Sequence, residues 1–209
     1  MSPPEQLARG IAELGLDIAA DVQAKLNAYL ALIAKWNRVH NLTAVRDSVK
    51  MVHAHALDCL AIVPHVRATS VLDVGSGAGL PGIPLALVWP HARVVLLDSN
   101  HKKAAFLRQA AIELALKNVE VVCERVEAWQ PPQKFDLVIS RAFSDLPEFL
   151  KLAGRLCSDD GVVAAMKGVY PDEELAQLPV TFKLKNTVPL KVPGLSAQRH
   201  LVLLAPAGA

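Results

Sequence analysis

Val71-Leu-Asp-Val-Gly75-Ser-Gly77-Ala-Gly79-Leu-Pro-Gly82 is the stretch that decides the fold. An apolar run closes on Asp73 and Val74, three glycines follow at every second position, and two prolines introduce the next apolar run. The pattern predicts a strand over 70–74, a tight loop, and a helix near 81–88. Glycine is what such a loop needs, because the backbone turns sharply and approaches a ligand with no Cβ in the way. Gly77-Ala-Gly79-Leu-Pro-Gly82 satisfies G-x-G-x-x-G, and a strand before it with a helix after it is the setting a nucleotide-binding loop requires. The bare pattern does not say which nucleotide.

Downstream, short apolar runs alternate with amphipathic stretches, the signature of βαβ units on a parallel sheet. Strands are predicted near 93–98, 119–123, 135–140 and 161–166, with helices near 101–116 and 145–156 between them. A short helix over 171–178 precedes two β-rich runs, 180–192 and 199–204. The six residues Pro193–Gln198 between those runs are too few for a crossover helix, so the runs should pair antiparallel. Five parallel strands and a terminal hairpin make an α/β protein: a Rossmann-like, seven-stranded, mostly parallel sheet of the class I methyltransferase pattern. Upstream, Ser2-Pro-Pro-Glu5 reads as a capping box opening a first helix. A second helix is predicted from about 17 to 36, broken by the polar segment 37–43, and a third from Ser48 to about Ile62. The expected division is an N-terminal helical appendage over 1–65 and a methyltransferase domain over 66–209.

The chain has 209 residues, 52% hydrophobic and 20% charged, with a formal net charge of +2, which suits one globular α/β unit with a sizeable core. Basic and acidic residues are near balance in both the appendage and the rest, so a nucleic-acid partner would need a local basic patch. Three separated cysteines without a C-x-x-C pair read as reduced thiols. Neither the opening segment nor any apolar run looks like an export signal or a membrane span. A cytoplasmic protein, a monomer without metal and without membrane contact, is expected.

Three features favour S-adenosylmethionine over a dinucleotide. Asp73, at the strand end, can reach the methionine ammonium directly or through water, whereas it would repel a pyrophosphate. Pro81 and Pro84 occupy the helix start, where a dinucleotide site uses free backbone N–H groups to hold phosphate. Asp98 closes Val94-Val-Leu-Leu-Asp98-Ser99, a position suited to ribose hydroxyls in either kind of site. Arg125-Val126-Glu127 follows the third strand, where an adenine ring would lie, although a solvated ion pair explains Glu127 as well. Arg141 leaves the fourth strand at the ligand crevice; an ion pair with Asp145 or Glu148 is its competing reading.

The fourth-strand exit also bears on the atom methylated. Exocyclic amines usually require an Asn/Asp/Ser-Pro-Pro-aromatic motif there, and this chain has Ser140-Arg-Ala-Phe143. Pyrimidine carbons require a cysteine nucleophile, and no cysteine sits beside a proline at the fourth- or fifth-strand exit. A ring nitrogen with a free lone pair, such as guanine N7, needs neither, only positioning and in-line approach. Lys167 ends the fifth strand on the same side; with Arg141 and Arg199 it could hold a guanine edge or a phosphate. A small-molecule methyltransferase of the same fold, an NAD(P) oxidoreductase and a non-catalytic RNA-binding module are the alternatives. The oxidoreductase lacks a tyrosine near the crevice strands.

Trp36-Asn37, Asn41-Leu-Thr43, His55, Asp58, Asp73–Pro84, Leu97-Asp98-Ser99, Lys102-Lys103 with Phe106-Leu107, Arg125-Val-Glu127, Ser140-Arg-Ala142, Met166-Lys-Gly168 and Arg199-His-Leu-Val202 run through nearly the whole chain. In these the chain resembles the bacterial small-subunit ribosomal RNA guanine-N(7) methyltransferases, the glucose-inhibited division protein B family. The resemblance implies methylation of one guanine in the decoding-region loop of 16S ribosomal RNA, with S-adenosyl-L-methionine as cofactor. It implies cofactor contacts at Gly75, Leu80, Val126, Glu127 and Arg141, with Asp98 at the usual ribose place of the wider class; Asp73, Gly77 and Ser99, from the loop and second-strand motifs, complete the expected set. Arg141 and Lys167 become the catalytic candidates. Asn41, Thr43, Arg46, Lys167 and Arg199 become RNA-facing or pocket-shaping candidates. For His53 and His55 two readings stand: they line the site, or they serve only the helix that carries them.

Overall fold

In the computed structural model, which describes residues 1–141, 143 and 145–208, the alternation of the sequence becomes a seven-stranded sheet. Strands β1 (Ser70–Val74), β2 (Arg93–Leu97), β3 (Val119–Val122), β4 (Phe135–Ser140) and β5 (Cys157–Lys167) are joined by β6 (Phe182–Pro189) and β7 (His200–Pro206). The order across the sheet is β3-β2-β1-β4-β5-β7-β6. The first five are mutually parallel, and β7 inserts antiparallel between β5 and β6. Chain order reverses between β1 and β4, which opens a crevice at the carboxyl ends of the strands.

Period-two alternation sends β-strand side chains to opposite faces. Val71, Val94, Leu96, Leu137 and Ile139 face one layer of helices, α1 (Pro3–Glu13), α2 (Ala20–His40), α5 (Gly82–Val88) and α6 (His101–Glu113). Leu72, Val74, Val95, Leu97 and Val138 face the other layer, which contains α7 (Leu146–Ala153) and Trp129. The helices of the first 65 residues therefore share one continuous core with the sheet: Leu7, Ile11, Leu26, Tyr29 and Ile33 pack into the cluster that holds Val71, Leu80 and Ile83. The buried Tyr29 hydroxyl donates to the Ala78 carbonyl, which ties α2 to the glycine loop.

Local chemistry explains where the elements depart from the sequence reading. Helix α2 continues four residues past Trp36 because Trp36 packs edge-on against Phe106 of α6, with ring centroids 5.5 Å apart, and Asn37 is buried beside it. It ends at Asn41, whose φ of 43° lies in the left-handed region that asparagine tolerates. Strand β5 begins at Cys157 rather than 161, across a register shift where Phe135 pairs with Cys157 but Leu137 with Val162. The third helix is not uniform. It opens as α3 (Ser48–Met51), loosens into a π-helical turn over Val52–Leu57 and resumes as α4 (Asp58–Leu60). Such turns often mark functional positions. Only Ser48–Met51 has an N-terminal cap, with Asp47 accepting the Lys50 N–H.

Candidate functional site

The cofactor candidates, Arg141 and Lys167 lie at or just beyond the ends of parallel strands, whereas Asn41, Thr43 and Arg46 follow α2 and Arg199 precedes β7. After β1 the chain passes through Gly75, Gly77 and Gly79 at φ 69°, 59° and 87°, conformations costly for any residue with a Cβ. Gly75 N–H and Ser76 N–H donate to the Leu97 carbonyl, and Gly77 N–H donates to Asp98 Oδ2 at 2.8 Å. At the start of α5 the amides are already used: Gly82 N–H donates to Asp73 Oδ2 at 3.0 Å, Ile83 N–H to the Gly79 carbonyl, and residue 84 is proline. No bouquet of free N–H groups is left for a pyrophosphate, so the dinucleotide reading fails on geometry.

Asp73 itself is not at the surface of the crevice. Its side chain shares the Val71 face of β1, which the helical layer covers, and it is wholly buried. Oδ2 takes the Gly82 N–H; Oδ1 is a buried acceptor with no partner among the described residues. Burial pushes the carboxyl up to about 7, against the Gly82 N–H, which pulls it down. The expected direct reach to a ligand is therefore corrected: Asp73 lies beneath the loop, anchoring α5 and presenting a buried, unsatisfied acceptor there. A Cβ at residue 82 would run into Asp73 and Leu96, so the glycine there is required by packing.

A cavity of about 230 Å³ lies beside the loop, lined among others by Gly75, Asp98, Ser99, Val126, Glu127 and Phe143. Five of the predicted cofactor residues meet here. Gly77 stands just behind, through its bond to Asp98, whereas Leu80 is buried in the core and does not line it. Asp98 Oδ1 accepts the Asn100 N–H, so the carboxylate both shapes the loop and faces the cavity. Glu127 lines the cavity and also sits 3.8 Å from exposed Arg125. Sequence reasoning missed Arg155: one guanidinium nitrogen, Nη2, donates to the carbonyls of Val126, Glu127 and Trp129 and holds that wall in place. No local signal marks a residue that acts from 26 to 29 positions away.

A second cavity, about 280 Å³, is lined by Asp58, Arg141, Met166, Lys167, Gly168 and Arg199. Three of the predicted cations converge on it. Arg141 pairs with neither Asp145 nor Glu148. Its Nη1 donates to the Ala54 carbonyl at 3.0 Å and lies 3.4 Å from Asp58 Oδ2, because the π-turn lies over the fourth-strand exit. Arg141 thus lines the cation-rich cavity and not the one beside the glycine loop. Arg199 Nε donates to the other oxygen of Asp58 at 3.0 Å. Lys167 is not a solvated strand-end charge either: Nζ lies 2.7 Å from Glu174 Oε2, and the side chain is 10% exposed. The same Glu174 oxygen accepts the Leu146 N–H.

The segment 41–46 is built on Asn37, whose side-chain amide bonds to Thr43 N–H, Thr43 O and Val45 O. Arg46 spans Asn37 O and Asn41 Oδ1, both at 2.9 Å. Thr43 Oγ1 meets His55 Nε2 at 2.9 Å, and His55 Nδ1 meets the Ala54 carbonyl. A carbonyl can only accept, so Nδ1 carries the proton and Nε2 accepts the hydroxyl. Burial, then the Arg141 charge, lowers His55 to about 4, so it is neutral near pH 7. His53 bridges Gln6 and the Pro193 carbonyl, away from both cavities. Of the 41–46 candidates, Thr43 is thus linked through His55 and Ala54 to Arg141, while Asn41 and Arg46 stay on the outer side of that loop. The motif residue Ala142 lies outside the described residues.

The model of the family described as rRNA small subunit methyltransferase G matches residues 22–202. The chain belongs to that family. It is 60% identical to the "Ribosomal RNA small subunit methyltransferase G" of Nitrosospira multiformis over the full length of both chains. It is 55% identical to the protein of that name from Laribacter hongkongensis, covering 98% of this chain and 99% of that one. Among solved structures it superimposes on TrmN from Thermus thermophilus with a TM-score of 0.56 at 19% identity. That match covers 81% of this chain and about half, 53%, of the other, and speaks to the fold alone. The sheet order with its antiparallel β7 agrees with the methyltransferase architecture read from the sequence. Both cavities are built wholly from residues inside the matched range, and so is the π-turn.

Proposed function

We propose that this family member transfers a methyl group from S-adenosyl-L-methionine to N7 of one guanine in the decoding-region loop of 16S ribosomal RNA, in the cytoplasm and as a monomer. Residues 66–209 form the catalytic unit, and residues 1–65 roof it. The observation that carries the proposal is a pair of unlike cavities, one ringed by the glycine loop, Asp98 and Glu127, the other by Arg141, Lys167 and Arg199, linked where Lys167 of the second donates to the carbonyl of Phe143, which lines the first.

The residues fit the cofactor. Asp98 has acceptor capacity left for ribose hydroxyls, Ser99 and Val126 flank it, and Glu127 reaches the same wall. The orphaned Asp73 oxygen beneath the loop supplies negative potential for an ammonium group. When bound, S-adenosylmethionine supplies a methyl group on a positively charged sulfur. Guanine N7 offers its lone pair without losing a proton, so the protein needs no general base at the acceptor. What the chain must do is hold the base edge and exclude disorder. Arg141, Lys167 and Arg199 are suited to this, since they can donate to guanine O6 or to phosphate while the N7 lone pair stays free to take the methyl group. Among the described residues no helix is long and apolar enough to cross a membrane.

The test is transfer of a labelled methyl group to unmodified small subunits and to naked 16S RNA, followed by nucleotide mapping. Label on N7 of a single decoding-region guanine is the expected result; label on a small molecule only, or on an exocyclic amine, overturns the proposal. Asp98→Ala should weaken cofactor binding by about ten- to a hundredfold, since charge-assisted bonds contribute about 1.5–3 kcal/mol each. It should also lower the melting temperature, because Gly77 and Asn100 lose their acceptor. Turnover at saturating cofactor should be largely kept, the pattern of lost uniform binding. Calorimetry and steady-state assays check both.

A further inference from the structure

The π-turn brings one buried carboxylate between two arginines that come from distant parts of the chain. Asp58 is 1% exposed. It offers Oδ1 to Arg199 Nε at 3.0 Å and Oδ2 to Arg141 Nη1 at 3.4 Å, across 141 and 83 residues of sequence. Arg141 Nη1 is fixed a second time by the Ala54 carbonyl, and Arg199 Nη1 by the Gln198 carbonyl. Both side chains stay about a quarter exposed, 27% and 25%, on the cavity they share with Lys167. Among the described residues Nη2 of neither arginine meets an acceptor, so each guanidinium is held through other nitrogens and keeps donors for the cavity that it lines.

Burying a carboxylate is costly unless it is paired and hydrogen-bonded. Burial raises Asp58 above the ordinary carboxylate range, and the two arginines act against that. Two acids, Asp58 and the Glu174 paired with Lys167, against three cations still leave a net positive charge here, so the carboxylates do not cancel the field an RNA would meet. A pair retained only for stability would need no opening beside it; this one forms a wall of a cavity.

We infer that Asp58 is a positioning residue for methyl transfer: it sets the angle of the Arg141 and Arg199 guanidiniums so that their uncommitted Nη2 groups grip the acceptor base or its phosphate, without itself touching either. The inference rests on the ribosomal RNA methyltransferase reading above. Its signature is a split between rate and binding. Removing the charge leaves both arginines in the cavity but free to turn, and misplacement by about 1 Å costs about a hundredfold in rate. RNA affinity, which depends on cation number, should hold or tighten.

The experiment compares wild type, Asp58→Asn and Asp58→Glu in single-turnover methyl transfer to unmodified small subunits at saturating cofactor. RNA affinity at two salt concentrations and melting temperature accompany it. Asp58→Asn should transfer about 10- to 100-fold more slowly, with RNA affinity within threefold of wild type and an unchanged salt dependence. Asp58→Glu keeps the charge but shifts it by one methylene, and should be slowed nearly as much. A folded Asp58→Asn within twofold of the wild-type rate overturns the inference. So does near-normal Asp58→Glu beside a slow Asp58→Asn, which would make charge alone sufficient. If neither variant is folded at the assay temperature, Asp58 is structural and the assignment falls. Wild-type protein that fails to label the RNA sinks the parent reading instead, which keeps the two failures apart.

Discussion

Arg141→Lys should leave single-turnover methyl transfer about a hundredfold below wild type, close to the rate of Arg141→Ala. A hundredfold loss corresponds to about 2.7 kcal/mol of transition-state stabilisation. The expectation follows from how Arg141 is tied down. One nitrogen serves both the Ala54 carbonyl and Asp58, and the rest of the planar group is left for the cavity. A lysine ammonium is a compact point charge; it can satisfy the inner partners or reach outward, not both in a fixed plane. Arg141→Ala should also lower the melting temperature, since it leaves Asp58 with Arg199 alone. Cofactor affinity should move little in either variant, because Arg141 lines the second cavity and not the first. Rapid-quench transfer and calorimetry decide this. A lysine variant with a near-normal rate would make Arg141 an ion-pair residue of the fold and remove it from the site.

Asp73→Asn should stabilise the ligand-free protein and weaken its grip on the cofactor. Burial raises the folded-state carboxyl to about 7, whereas an unfolded chain titrates near 3.8. Between those values the native state holds a proton that the unfolded state has released. Wild-type stability therefore declines as pH rises from about 4 to about 7, and Asp73 adds no further pH dependence above that. An asparagine carries no such cost and can still accept the Gly82 N–H. The advantage of the variant should widen by about 3 kcal/mol between pH 5 and pH 8, measurable as diverging denaturant midpoints. Its cofactor affinity should fall at least tenfold, and should lose the wild-type weakening below pH 7. A stability gap that stays constant with pH would place the proton elsewhere.

What could be read from the sequence and what could not follows the distance over which each interaction acts. The strands were legible because side-chain alternation is local, and β1, β2 and β4 fall within a residue of their expected limits. The glycine loop, Asp98, Ser99, Val126 and Glu127 were legible for the same reason: strand ends in a parallel sheet fall on one side by topology, so three short motifs map onto one rim. Partners chosen by tertiary packing were not. Asp145 and Glu148 looked like natural partners for Arg141 because they are near in sequence, but Asp58 arrives from a helix 83 residues earlier. The pairing of Lys167 with Glu174 and the clamp from Arg155 were invisible likewise. Asp73 was placed on the correct strand end, but its exposure depended on a helical layer whose docking leaves no mark in the strand itself.

The π-turn at Val52–Leu57 acts as a phase adjustment. In a regular α-helix each residue advances about 100° around the axis, and a turn closed five residues back, as Asp58 N–H to the His53 carbonyl is here, leaves the following residues roughly one position out of step. Asp58 faces two arginines only at that setting. Tightening the turn to an ordinary α-helix, or deleting one residue from it, would rotate the carboxylate away by more than a quarter of a circle and swing an apolar neighbour, Leu57 or Cys59, toward the guanidiniums. The helical roof is in this sense indexed to the sheet: its rotational register, and not only its contact, selects which side chain closes the second cavity.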